Sequence, residues 1–391
     1  MAPPVPRRRE YEVIIVGAGV LGLYTAHYLS QRMDPGRILI LEKGYLSAGA
    51  SGRNGGGVRQ QWETVPTIRL AQESVASYRR FPREFGYNPW FRQGGYLFLA
   101  LDENEEAILG RTRSVLRREG LPVEWLEPRE LGRLVPALSR EGIRGGNYLH
   151  SDGVIFPFPV LWGLYQDLRR RGVEILLGTE AQEILRSGGH VAGVRLPQGR
   201  VDVPTVVNAA GGWSREVSLR AGLTVVNQPS RHEILATEPL KPFLDPMVVT
   251  LRRGLYFSQS MRGEIIGGLT LSEPAGGDHG MPSSSRFLGE MARELVRYLP
   301  ALTSVRVLRA WAGFYDDTPD GLPVMGEDPR LAGFIQANGF GGHGFMLAPA
   351  AGRRVAQIAL GEPTDLAPGV FSPDRFRTGG PPPVREGLQL G

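Results

Sequence analysis

Four apolar residues in a row, Val13 to Val16, run directly into Gly17-Ala18-Gly19-Val20-Leu21-Gly22. An unbroken apolar run of this length suits a strand buried on both faces of a parallel sheet, so a strand is expected at residues 12–16. Residues 20–32 have the length and apolar period of a helix, and residues 38–41 (ILIL) return to the buried-strand pattern. The chain therefore opens with a βαβ unit.

Further along, residues 104–119 fit an amphipathic helix, and Pro122, Pro128 and Pro136 punctuate a segment that reads as an insertion. Residues 159–171 read as a helix with proline near its first turn. Strands are expected at 173–177, at 191–196 after the Gly188-Gly189 turn, and at 203–209. From residue 223 to 307 the pattern changes to short strands such as 254–260 and 263–269, with one helix at 285–298, which implies a second, mostly antiparallel lobe. Residues 311–352 are glycine-rich, and the Pro/Gly-rich tail from Glu362 onward is expected to lie over the surface or be disordered. The expected fold is α/β: a Rossmann-like dinucleotide-binding domain with a second, mostly antiparallel β substrate domain.

A length of 391 residues with 41% hydrophobic and 22% charged positions allows a sizeable core and two lobes. No apolar run reaches the roughly 20 residues that cross a bilayer, and residues 1–9 lack a secretory apolar stretch, so no membrane span and a cytoplasmic location are expected. The chain has no cysteine, which excludes disulfides, thiolate metal sites and a flavin tethered through sulfur; no metal is expected. The net charge of +5 is spread along the chain, with short runs only at Arg7 to Arg9 and Arg169 to Arg171. That distribution reads as a solvated face and not as a track for nucleic acid. Lys43 and Lys241 are the only lysines among 45 basic residues.

The candidate chemistry starts at the glycine turn. Gly17 permits the tight turn, Gly19 lets backbone approach a pyrophosphate with Val20 and Leu21 opening the helix, and Gly22 lets helix and strand pack closely. Glu42, 20 residues beyond Gly22 at the end of the second strand, is placed to accept hydrogen bonds from a ribose diol. The motif alone does not separate FAD from NAD. Residues 47–59 (SAGASGRNGGGVR) offer small residues and backbone amides that suit an extended flavin tail, with Arg53 or Arg59 supplying positive charge; a flexible linker is the alternative. Residues 206–213 (VVNAAGGW) run from a strand into small residues where a cofactor can touch backbone.

These segments resemble the D-amino-acid oxidase-like flavoenzymes, which include glycine oxidase, sarcosine oxidase and dye-linked L-proline dehydrogenase. The resemblance takes in Asp152-Gly153-Val154, Gly172-Val173 with Gly178-Thr179, the VVNAAGGW segment, Thr318-Pro319-Asp320-Gly321-Leu322-Pro323 and Gly339 to Pro349 (GFGGHGFMLAP). The SGRNGGGVRQQW stretch looks closest to the sarcosine oxidase β-subunit and proline dehydrogenase branch. The resemblance implies FAD-binding parts at 1–90, 145–222 and 308–391, and substrate-binding parts at 91–144 and 223–307. It implies FAD contacts at Lys43, Ser51, Arg53, Asn54, Gly57, Ala181, Ala210, Gly211, Trp213, Gly342, Gly344, Phe345 and Met346, besides the amino-terminal turn and Glu42.

Family sarcosine oxidases carry an arginine where Arg59 stands, so the resemblance makes Arg59 the clamp for a substrate carboxylate. It makes the strand at Tyr256 a wall of the substrate pocket; Tyr256 and Phe257 must face opposite ways, and Tyr256 is favoured inward. His343 falls in the segment similar to the flavin-contacting loop. Monomeric sarcosine oxidases have a lysine where Met346 stands, a flavin-linked cysteine near Tyr315 and an oxygen-activating lysine near Ile265, whereas glycine oxidase has a substrate arginine about where Tyr315 stands. With none of these present, the expectation is non-covalent FAD; the branch that the chain resembles implies oxidation of the C–N bond of a small secondary amino acid, N-methylated or proline-like. The electron acceptor is then oxygen or a dye or quinone, and partner subunits are possible. A 2-hydroxy-acid dehydrogenase of the same fold, with His343 as base, and a flavin subunit of a larger electron-transfer complex are the alternatives.

Overall fold

The computed structural model describes residues 4–271, 282–367, 369–377 and 384–388. Its amino-terminal strand Val13–Val16 is buried along its whole length because it lies inside a six-stranded sheet. There it pairs in parallel with Ile38–Glu42 on one side and Thr205–Asn208 on the other. Glu174–Leu177 extends the sheet beyond Ile38–Glu42, and Phe334–Asn338 extends it beyond Thr205–Asn208, both in parallel. Val324–Glu327 closes the far edge antiparallel. The strand before the glycine turn therefore ends in mid-sheet, where a parallel α/β fold opens its ligand crevice.

The first helix, Val20–Leu29, is buried on nearly every side because it is wedged between Gly344–Ala359 and Pro157–Arg171. Gly352 makes the closest approach possible: a methyl group there would stand 2.7 Å from the Cβ of Tyr24 and 2.9 Å from the Thr25 nitrogen. Two long helices go beyond the sequence reading, Val65–Phe85 and Gly344–Ala359. Each contains an internal proline, Pro82 and Pro349, and proline normally signals a break.

The second layer is an eight-stranded, mostly antiparallel sheet in the order Val307–Asp317, Gln228–Thr237, Ile265–Leu269, Tyr256–Gln259, Met247–Thr250, Tyr96–Ala100, Gly145–Leu149, Glu124–Leu126. One face carries the helix Ser285–Tyr298 on Leu235, Val248 and Phe257, and the other looks toward the glycine turn. The strands Val307–Asp317 and Gly145–Leu149 belong to this sheet, although the expected boundaries put residues 308–317 and 145–149 on the cofactor side. The physical reason is pairing: Val307–Asp317 is hydrogen-bonded along its full length to Gln228–Thr237.

The tail corrects a further expectation. Arg375 is buried on Asp320 (Nε to Oδ2 2.7 Å), and Phe371 joins the main core. Residues 384–388 are packed in as well, with Glu386 and Leu388 both buried. The expected tail segments 378–383 and 389–391 lie outside the described residues. Among the described residues no helix is long and apolar enough to cross a membrane.

Candidate functional site

A cavity of about 370 Å³ runs from the glycine turn to the inner face of the eight-stranded sheet. Its first wall is the turn itself. Gly17 adopts φ 113°, and a methyl group there would stand 2.4 Å from the Ala209 carbonyl oxygen. Gly22 faces away from the cavity, 2.1 Å by the same measure from the Gly17 carbonyl oxygen, so its role is helix-to-strand packing. Gly19, Val20 and Leu21 line the cavity at the start of the first helix, where backbone N–H groups and the helix dipole favour an anion. The Val20 N–H donates to Ser51 Oγ at 3.0 Å, which fixes the following loop across the helix end. Glu42 accepts from Ala18 N at 3.1 Å and Gly44 N at 2.8 Å, so its carboxylate is held at the strand end beside the turn.

The residues 47–57 fold over the cavity by their own hydrogen bonds. Asn54 donates through Nδ2 to the Ser51 carbonyl at 2.7 Å and accepts from Gly56 N at 2.8 Å. Arg53 donates to the Ala48 carbonyl at 2.9 Å and the Ala312 carbonyl at 3.2 Å, which ties the loop to the second sheet. Lys43 lies 4.4 Å from the centre of the Trp213 ring, within cation–π range. Ala181, Ala210 and Gly211 complete this end, and Thr179 and Glu180 join them. A crevice of backbone amides at one end and a fixed carboxylate beside it fits an elongated dinucleotide. Among the described residues no cluster of three or more His, Asp or Glu is suited to a metal.

At the opposite end the wall turns aromatic. Register explains why: Ile234 and Tyr256 both sit opposite Gly268, so they share a face, and His232 lies two residues before Ile234 on that same face. Tyr256 therefore looks into the cavity with His232 and Ile234, while Phe257 packs on the far side against Tyr298 at 6.2 Å. Gly268 gives Tyr256 its room, since a methyl group there would stand 2.8 Å from the phenol oxygen. Gly57 does the same for Tyr96, at 1.9 Å. The Tyr256 and Tyr315 hydroxyls are hydrogen-bonded to each other, and burial pushes both far above the usual phenol range. Met247 and Tyr96 close this chamber.

Gly342, His343, Gly344, Phe345 and Met346 form the remaining wall, where the helix Gly344–Ala359 begins. Arg59 is not part of it. Its side chain is fully buried behind His343, over the Trp62 ring at 3.8 Å, and burial lowers its pKa from the usual guanidinium value. It donates to the Gln61 carbonyl at 2.6 Å, to the Leu388 carbonyl and to His343 Nε2 at 3.2 Å. The expectation of a carboxylate clamp at Arg59 is thus corrected: its two terminal nitrogens are held by two backbone carbonyls and an imidazole, and the side chain is absent from the cavity lining. An arginine donates only, so His343 Nε2 accepts and the ring is held as the Nδ1–H tautomer.

Two buried carboxyls flank the site. Burial raises Asp152 to about 7 despite hydrogen bonds from Gln60 and Gln61, and raises Asp316 to about 7 despite those from Gly339 and Asn227. Sequence reasoning missed Tyr96, His232, Ile234, Met247 and Asp316. The signal for His232 and Ile234 was alternation along a strand, which only its pairing partner makes readable.

A profile of the FAD dependent oxidoreductase family matches residues 12–358. The sarcosine oxidase subunit beta of Rhodobacter capsulatus is 30% identical over 383 residues, 97% of this chain and 91% of that protein. The crystal structure of an L-proline dehydrogenase from P. horikoshii superposes with a TM-score of 0.89 at 30% identity, over 96% of this chain and all 100% of that one. A glycine oxidase from Geobacillus kaustophilus follows at TM-score 0.85 and 26% identity, over 93% and 98% of the two chains.

Proposed function

Because the chain belongs to the family of FAD dependent oxidoreductases, we propose that it oxidises the C–N bond of a small secondary amino acid on non-covalently held FAD. Sarcosine and L-proline, named for two proteins 30% identical to this one, are both secondary amino acids. The observation that carries the reading is the aromatic chamber of Tyr96, Tyr256, Tyr315 and His232, which adjoins the Gly342-His343-Gly344 wall. When bound, the flavin supplies the two-electron acceptor. The protein's part is to hold the adenosine ribose at Glu42, the pyrophosphate at Gly19 to Leu21, and the ring beside residues 342–346.

Tyr256 and Tyr315 stay protonated, and because one hydroxyl donates to the other, the pair offers a single phenol hydrogen to the substrate carboxylate, while Ile234 and Met247 exclude water from the carbon that reacts. With no cysteine in the sequence, no thioether tethers the flavin. The test is product analysis with a dye as acceptor. Sarcosine should yield glycine and formaldehyde, and L-proline the cyclic imine. Turnover of 2-hydroxy acids alone would reject the proposal.

A second reading, that the chain works as the flavin subunit of a complex, draws on the subunit names of its relatives, such as the sarcosine oxidase subunit beta that it covers over 91% of its length. Purification from the native host with and without partner chains separates the two, because a lone chain that turns over amino acids needs no partner for the chemistry.

A further inference from the structure

An amino acid dissolved at neutral pH carries its amine protonated, and a protonated nitrogen has no lone pair to stabilise the carbon as hydride leaves. Any site that oxidises the C–N bond must therefore lodge one proton. The chamber phenols are poor candidates: burial holds Tyr96, Tyr256 and Tyr315 protonated far beyond neutral pH. His343 has its Nε2 taken up by Arg59.

His232 has a different setting. It lines the chamber, stacked on the Tyr315 ring with centroids 3.7 Å apart and planes 12° from parallel. Its strand partner across the sheet is Gly313, over which the side chain of Arg53 packs. Its Nε2 lies 3.2 Å from Ser230 Oγ, and the Ser230 hydroxyl donates to the Asp317 carboxylate. Because the serine proton is committed to Asp317, the serine oxygen accepts, and Nε2 of His232 carries a hydrogen. Ser230 and His232 are two residues apart on one strand, and Tyr315 and Asp317 two apart on its partner, so the four share the face that looks into the cavity.

We propose that His232 is the proton acceptor of the substrate amine, with Ser230 and Asp317 as the groups that orient it and offset the charge it gains. This rests on the amino-acid reading above. In the step, one proton passes from the substrate ammonium to the imidazole, which becomes imidazolium; the N–H bond pair stays on the substrate nitrogen as its lone pair, and no electron changes owner. The Asp317 carboxylate, one hydroxyl away, favours the charged ring.

Among the described residues, titratable groups around His232 include Tyr315 and Asp317 on the neighbouring strand, Tyr256 across the chamber and Arg53, whose side chain packs over Gly313. Arg231 and Glu233 alternate to the opposite face, where they pair with each other. Asp316 is the rival base: Gly339 N–H and Asn227 hold its Oδ2, and its buried Oδ1 has no hydrogen bond among the described residues.

The test combines a rate and a titration. In the flavin-loaded protein, anaerobic reduction by sarcosine or L-proline should show an acid limb in kcat/KM, and His232→Gln should slow it by about 10²-fold at neutral pH and abolish that limb. Asp317→Asn should move the limb to lower pH. By NMR of ring-labelled histidine, without substrate, the His232 resonance should titrate at lower pH in Asp317→Asn than in the parent. An unchanged limb in His232→Gln, or a His232 titration indifferent to Asp317→Asn, overturns the proposal while leaving amino-acid oxidation intact. A limb that survives His232→Gln and shifts in Asp316→Asn gives the role to Asp316 and likewise overturns it. If no amino acid reduces the parent protein, the functional reading itself fails, and His232 loses its part in it.

Discussion

Glu42 and Arg59 show how differently single residues declare themselves. Glu42 is legible from spacing alone, because a βαβ unit puts the end of its second strand beside the glycine turn whatever the rest of the chain does. Arg59 is not, because its partners Leu388 and His343 lie 329 and 284 residues away in sequence. At Gly22 the structure predicts intolerance. In Gly22→Ala the added methyl group meets the Gly17 carbonyl oxygen at 2.1 Å, so helix and strand must separate. The expected cost is about 1–3 kcal/mol, the range for overpacking, with a lower flavin-to-protein ratio after purification. Thermal unfolding and the absorbance ratio check both. For Arg59→Lys, an ammonium has no planar fork to serve both buried carbonyls and His343. Urea unfolding should show a loss of about 1.5–3 kcal/mol, the range for hydrogen bonds to charged groups. Substrate affinity should change less than stability, the reverse of what a direct clamp requires.

Among elements, the helix Val65–Phe85 depends on the tail. Its N-cap Thr64 makes no side-chain cap of its own, and the N–H groups of Glu63 and Thr64 donate instead to Glu386 at 3.0 and 3.2 Å. Glu386→Ala should therefore destabilise the protein by about 0.5–2 kcal/mol, as loss of a cap does, and loosen residues 384–388 enough to show in hydrogen exchange. Asp316, at the end of Val307–Asp317, predicts a pH effect. Its folded pKa of about 7 lies above the ordinary carboxyl value of 3.8, so the folded state binds the proton more tightly. The contribution is fully present below about pH 4 and is lost as pH rises through 7. Asp316→Asn removes that titration, so the fall in stability between pH 4.5 and 8 should be shallower than in the parent by urea melts.

Elements with a strong period or a glycine boundary, such as Ser285–Tyr298 and Pro157–Arg171, stood within two residues of their sequence expectation. Val65–Phe85 and Gly344–Ala359 did not, because Pro82 and Pro349 break the local pattern while tertiary packing carries the helix through. The aromatic chamber was legible only at Tyr256. His232 and Tyr315 meet through strand register, which a linear pattern does not encode.

On the scale of the whole molecule, two sheets face one another across a cavity, one bringing a dinucleotide turn and the other an aromatic wall. The absence of cysteine predicts that acid precipitation releases the flavin intact, as FAD, into the supernatant. Yellow colour retained in the pellet would contradict non-covalent binding. The acceptor follows from charge. Arg59 is sealed behind His343, Arg53 is tied by its Nε and Nη1 to two carbonyls, and Lys43 lies at the Trp213 end, so among the described residues no lysine stands on the cavity wall beside residues 342–346. Oxygen is reduced through an anion that a fixed cation favours, so reoxidation by a dye or quinone should outpace oxygen in stopped flow.

The central claim, oxidation of a secondary amino acid, has one direct test: anaerobic mixing of the flavin-loaded protein with sarcosine, L-proline, glycine or L-2-hydroxyglutarate while the flavin absorbance is followed. Bleaching by sarcosine or L-proline, at a rate well above that with glycine and with none from L-2-hydroxyglutarate, is the predicted result. Bleaching by L-2-hydroxyglutarate with the amino acids inert would contradict it.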